Sequence, residues 1–380
     1  MGETTAYLSP NGDNSSRGDG PATRLVVATV DGVATFRREG RGAPWHLTDR
    51  SLSQCHVGSL LFEPVSGKLF AGAHADGGLW VRDGEAGAWR RLTDGLDRPH
   101  IYCLAARRIG DRVTLFAGTE PAALYRSEDF GETWGEAESL RAVPGTDKWT
   151  FPPPPHLAHV KSVVFHPARE RTFYALVEQG ALLQTDDDGR TWTELAGYAG
   201  AGDIAYHDVH RLAISANDPR LFYLATGEGL YRSGDGGRSW EHLMKRAERI
   251  GYPDFLFFDP RDDRTLFLGG ARNDPGKWFG DPMADSIIAR STDGGRTWLE
   301  LDHGMPSPMA PAFEALCLHH WDGGMMLAVG TATGEVYVSE DDGGSWSCIE
   351  DNAGPVSKDH HHLAWYPKAE REAAMALRRA

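Results

Sequence analysis

The chain has 380 residues and a formal charge of −15, with 54 acidic side chains against 39 basic ones. Phosphate backbones and anionic lipid repel such a surface, which excludes nucleic acid and membrane as main partners. No apolar run approaches the length of a leader core or a membrane span, so a cytosolic protein is expected, with Cys55, Cys103, Cys317 and Cys348 as reduced thiols.

Residues 1–23 are rich in Gly, Ser, Asn and Asp and read as a disordered arm. The Arg17-Gly18-Asp19 triplet and the sequon at Asn14 are read as coincidences of that composition. A strand follows at 24–29, and from there short apolar runs alternate with turns. Runs at 56–62, 100–106, 159–165, 208–214, 252–258 and 312–318 share a largely apolar body and read as equivalent inner strands of successive units. Each unit closes on a tryptophan. Two degraded turns end at Trp45 and Trp89, and five intact ones follow: SEDFGETW at 127–134, TDDDGRTW at 185–192, SGDGGRSW at 233–240, STDGGRTW at 291–298 and SEDDGGSW at 339–346. The pattern suits a hairpin tip, because Asp accepts hydrogen bonds from its own turn, Gly takes a positive φ and Trp packs the loop onto the sheet. The stretch 360–367 repeats the inner-strand pattern at the C-terminus, and 369–380 reads as a short exposed helix.

Seven tryptophan-ended units predict an all-β fold, a seven-bladed β-propeller over 24–368. Only six inner strands lie within the repeats. The seventh is expected from 360–367, so that the C-terminal strand pairs with the N-terminal blade and closes the ring.

The turns resemble the Asp box, or BNR repeat, of a β-propeller superfamily that includes sialidases, sortilin-type receptors, xyloglucanases and photosystem II assembly factors. The resemblance spans nearly the whole chain after the first two dozen residues. It implies the propeller and is silent on function, since the superfamily mixes enzymes with scaffolds. It also places the boxes between third and fourth strands, on the face away from the loops where propellers bind ligands, which makes them stabilisers of turns.

The opposite mouth collects titratable groups. His56, His100 and His159 begin inner strands, and two positions further along a period-two strand stand His210, Asp254, Glu314 and His361. His207, Asp208, Asp359, His360 and His362 are neighbours, and which of His360, His361 and His362 points inward depends on a one-residue register. Imidazoles delivered by rigid strands to one axis suit a divalent transition metal (iron, copper, manganese or zinc) held by His56, His100, His159, His210 and His361, with Glu314, Asp254 or Asp208 as the catalytic carboxylate. The plainer alternative is that each histidine only hydrogen-bonds its preceding loop. Insertions at 146–156 and 273–281 fall on the same face, and Trp149, Phe151, Lys277 and Trp278, with Tyr102, are expected to wall a pocket for a small organic or saccharide ligand.

Three functions follow. The first is a metal-dependent oxidoreductase or lyase, similar in geometry to carotenoid-cleaving oxygenases and oligogalacturonate lyases, neither of which carries Asp boxes. The second is a glycoside hydrolase acting through carboxylates such as Asp208 and Glu314. A sialidase would need an arginine triad and an Arg-Ile-Pro motif; the motif is missing and Arg211 stands alone, while xyloglucanases typically pair two propellers around a cleft. The third is a non-catalytic binding scaffold. Oligomeric state is left open.

Overall fold

Within each tryptophan-ended unit consecutive strands pair antiparallel, and the inner ones are buried along nearly their whole length because both faces are covered by neighbouring blades. The computed structural model describes residues 4–84, 87–198 and 207–377. Seven sheets of at least four strands make a seven-bladed β-propeller. Blade one holds Arg24–Thr29, Gly32–Arg37 and His46–Ser51. The innermost strands of blades two to seven are Val57–Glu63, Ile101–Ile109, His159–Phe165, Val209–Ile214, Tyr252–Asp259 and Phe313–Trp321. Apolar side chains of neighbouring blades interdigitate, as where Leu61, Phe70 and Val81 meet Leu104, Leu115 and Trp134 between blades two and three.

The ring closes differently from the expectation. His361–Trp365 is a turn of 3-10 helix, followed by a helix at Lys368–Leu377, and neither pairs with blade one. The inner position of blade one is taken by Thr5–Leu8, which lies parallel to Arg24–Thr29. Ser15–Arg17 then pairs in parallel with the inner strand of blade seven, Ser15 opposite Leu318. The N-terminal arm is therefore an ordered latch across the seam, and Ala6 and Leu8 are fully buried in the core shared by blades seven and one. Its small polar residues fit a close approach to other backbone rather than disorder. Asn14 binds the Ser9 carbonyl at 2.7 Å, Asn11 N–H donates to the Gly58 carbonyl, and a Cβ on Gly12 would sit 2.2 Å from the Leu60 oxygen. Residues 1–3 of the arm and 378–380 of the tail lie outside the described residues.

With the closing position filled, the C-terminal segment runs over the channel instead. Val30 donates to the Pro355 carbonyl, Val356 to that of Thr331, and Asp359 adopts a φ of 61° as the chain bends into the helical turn.

One irregularity recurs in six blades. Pairing of the innermost strand with its neighbour skips a residue between Val57 and Ser59, Ile101 and Cys103, Val160 and Ser162, Val209 and Arg211, Pro253 and Phe255, and Phe313 and Ala315. The skipped residues are Gly58, Tyr102, Lys161, His210, Asp254 and Glu314. A bulge re-aims its side chain out of the strand's alternation, and here it does so at one level of the ring.

The box turns are built alike. In the first, Ser127 Oγ and Thr133 N–H donate to Asp129 Oδ1 at 2.8 and 3.0 Å, Thr133 Oγ1 donates to Oδ2 at 2.6 Å, and Gly131 has a φ of 86°.

Candidate active site at the channel mouth

The bulge residues form one tier of the mouth, and the residues two positions earlier (His56, His100, His159, Asp208 and Tyr252) form another. A third set comes from the ends of the second strands. His74 N–H donates to the His56 carbonyl, Glu120 N–H to that of His100, and Glu178 stands opposite His159 in the sheet register. The C-terminal segment adds Lys358 through His362. Blade pairing thus sets an acid or an imidazole beside each strand-opening histidine.

The buried charges are arranged in alternation. His159 is fully buried, with Nδ1 3.2 Å from Glu120 Oε2 and Nε2 2.6 Å from Glu178 Oε2. Burial pulls this imidazole down, but the two glutamates outweigh it and hold it protonated above its ordinary range. Lys161 donates to Glu178 Oε1 at 2.5 Å and lies 3.4 Å from Asp254 Oδ1, while Lys358 bonds the other Asp254 oxygen. Burial opposes ionisation of Asp254, Glu178 and Glu314, yet Lys161 and Lys358 keep all three below the usual carboxylate range. These three carboxylates supply fixed negative charge and do not donate protons.

His361 is arranged differently. Its Nδ1–H donates to Glu314 at 3.1 and 3.2 Å, so the carboxylate fixes the ring and its tautomer, and the residue reaches a cavity of about 480 Å³. One wall of that cavity is Phe151, Pro152 and Pro153; the other is Pro275, Gly276 and Phe279. Glu178, Asp208, Arg246 and Tyr252 line it from the blades, and His360 and His361 from the C-terminal segment. The Tyr252 hydroxyl donates to Asp208 Oδ2 at 3.3 Å.

The chain is similar to known proteins in sequence and in fold. Residues 124–137 match the BNR-Asp box repeat, and residues 144–376, more than half of the chain, match the DUF6242 β-propeller domain. The chain belongs to that family. Among curated proteins, this DUF6242 propeller is 28% identical over 233 residues to xyloglucanase Xgh74A of Acetivibrio thermocellus, and 26% identical over 209 residues to a probable oligoxyloglucan-reducing end-specific xyloglucanase of Neosartorya fischeri. The matches cover 52% and 51% of this chain but 26% and 24% of those proteins, so the aligned part is about a quarter of the relatives' length. The GH74 xyloglucanase structure of Xanthomonas campestris superposes with a TM-score of 0.53 at 20% identity, covering 76% of this chain and 44% of that one. YCF48 from Cyanidioschyzon merolae gives 0.52 at 13% identity, covering 84% and 96%. Both structural likenesses show the fold.

Within the DUF6242 propeller, the five histidines expected to share a metal are spread along the mouth, and most are engaged separately. His56 Nε2 donates to the Ser357 carbonyl at 3.0 Å, His159 bridges two glutamates, His210 Nδ1 donates to the Pro253 carbonyl at 2.6 Å, and His361 is held by Glu314. Among the described residues, two trios do bring possible ligand atoms within 4.8 Å of one another: His74, His100 and Asp359, and Glu178, Asp208 and His210. Of the expected catalytic carboxylates, Asp208 lines the cavity. Asp254 and Glu314 are buried beneath it by their lysine and histidine partners.

Of the expected ligand contacts, Phe151 lines the cavity. Trp149 faces a separate hollow with Arg141 and Leu157. Trp278 is buried, its indole N–H donating to the Asn273 carbonyl at 2.8 Å. Lys277 points to solvent beside Asp274, and Tyr102 is buried with its ring 3.5 Å from that of His159. His74, Glu120, Glu178, Lys161 and Lys358 were not anticipated. The signal for Glu120 and Glu178 was their place at the second-strand ends, opposite a strand-opening histidine.

Proposed function

We propose that this propeller is a glycoside hydrolase that binds a saccharide of the xyloglucan class in the mouth cavity. The observation that carries the reading is the cavity itself. It is a slot between two proline-and-phenylalanine walls, with a carboxylate at Asp208 and a carboxylate-oriented imidazole at His361, in a chain whose curated relatives are named xyloglucanases. Apolar walls suit the faces of sugar rings, and a few convergent polar groups fix orientation. Asp208 is assigned the carboxylate that acts at the anomeric carbon. His361, its Nδ1–H held by Glu314, is assigned the proton transfer to the leaving oxygen. Glu178 stays ionised and opposes the positive charge of an oxocarbenium-like transition state.

The test is release of reducing ends from xyloglucan oligosaccharides. Asp208→Asn and His361→Asn are expected to lower turnover at least about 100-fold, with unchanged circular dichroism. Wild-type turnover in Asp208→Asn would remove the assignment, and a folded wild-type protein that neither binds nor cleaves these oligosaccharides would remove the reading.

A further inference from the structure

His74 is the least explained polar group of the mouth. It follows the strand Lys68–Ala73, is 3% exposed, and neither ring nitrogen has a hydrogen bond among the described residues. A buried donor or acceptor left unmade is destabilising, so such a ring persists only where something else supports it. Its position is also kept open by the backbone. Blade two carries glycine at the bulge where blades three to seven carry Tyr102, Lys161, His210, Asp254 and Glu314, and a Cβ on Gly58 would sit 1.9 Å from His74 Nε2.

The ring lies flat on His56 at 4.6 Å and tilted against His100 at 4.8 Å. His74 Nδ1 is 3.8 Å from Asp359 Oδ1, too far for a hydrogen bond but suited to two ligands of one ion. Burial, reinforced by His56, holds His74 well below its ordinary pKa, in the neutral form that ligates metals. Glu120 Oε1 lies 3.5 Å from His100 Nδ1, and His360 Nδ1 is 3.0 Å from Asp359 Oδ2; such outer partners orient metal ligands. Asp359 itself holds a left-handed φ of 61°, a local strain of the kind that gathers at functional sites.

The second trio, Glu178, Asp208 and His210, lacks this need. Lys161 and protonated His159 already supply cations to Glu178.

We propose that His74, His100 and Asp359 form a binding site for a divalent first-row transition metal, two imidazoles and one carboxylate leaving further positions for water or an exogenous ligand. This donor set is typical of non-haem iron and catalytic zinc centres. The site is independent of the saccharide reading, since none of the three residues lines the mouth cavity.

The experiment uses full-length protein made without a histidine tag, stripped by chelator and titrated with Co(II), read by visible absorption and by elemental analysis after gel filtration. One equivalent per chain with ligand-field bands is expected. His74→Ala and Asp359→Asn should each weaken binding more than about 100-fold, beyond the loss typical of an outer partner, while Glu178→Gln keeps one equivalent and the same spectrum. Circular dichroism monitors folding, and if His74→Ala unfolds, Asp359→Asn decides. The proposal is overturned if folded wild-type protein takes up no Co(II), if His74→Ala or Asp359→Asn binds as wild type does, or if Glu178→Gln alone abolishes binding.

Discussion

The two ends of this propeller use carboxylates in opposite ways. At the box turns each Asp is satisfied within eight residues by backbone N–H and hydroxyl groups of its own loop, as where Thr191 N–H and Oγ1 donate to Asp187 at 2.9 and 2.7 Å. At the mouth, Glu178, Asp254 and Glu314 are satisfied by Lys161, His159, Lys358 and His361, which come from other strands or from the far C-terminus. A local arrangement is copied whenever the repeat is copied, whereas a long-range one must be built residue by residue. The boxes therefore repeat and the mouth differs from blade to blade.

The largest expected effect tests the long-range side. Lys161→Ala leaves Glu178 and Asp254 buried with too little positive charge, and unfolding in urea should show a loss of about 3–5 kcal/mol. Next is the latch. Leu8→Ala removes a fully buried side chain from the seam of blades seven and one, at a cost of about 2–5 kcal/mol in the same measurement. Gly58→Ala should cost about 1–3 kcal/mol by forcing His74 aside, with chemical shifts changing at the mouth and not at the boxes. Asp187→Ala removes the local hydrogen bonds of one exposed turn and should lower the melting temperature least.

Acid and alkali sharpen the same contrast. Asp129 and Asp187 are held down at about 2 by hydrogen bonds to their threonines, although burial works against this at Asp129 and, more weakly, at Asp187. Their stabilisation is present above about pH 4 and lost as pH falls towards 2. His159 is shifted upward, so its contribution is complete below about pH 6.5 and lost as pH rises through its folded value. The depressed mouth carboxylates also weaken in acid, but loosening on the alkaline side should appear at the mouth alone, in an NMR titration of His159 against the box threonines.

This contrast also accounts for what the sequence reveals. The boxes and blade count are legible because each turn carries its own partners. His56, His100, His159, Asp208, His210, Asp254 and Glu314 are legible because strand spacing places them at one end. Glu178, Glu120 and His74 are hidden, since only the pairing register sets them opposite the strand-opening histidines. The latch is hidden for a related reason: Ser9, Gly12 and Asn14 look like linker composition, yet small size is what a backbone lying against another strand requires.

Hydrogen–deuterium exchange with and without a xyloglucan oligosaccharide tests most directly whether the mouth is the working end. The account predicts protection at the amides of Phe151, Tyr252 and residues 276–279, which lie at the cavity, and at none of the five box turns. Protection confined to the box turns, with the mouth unchanged, would contradict it.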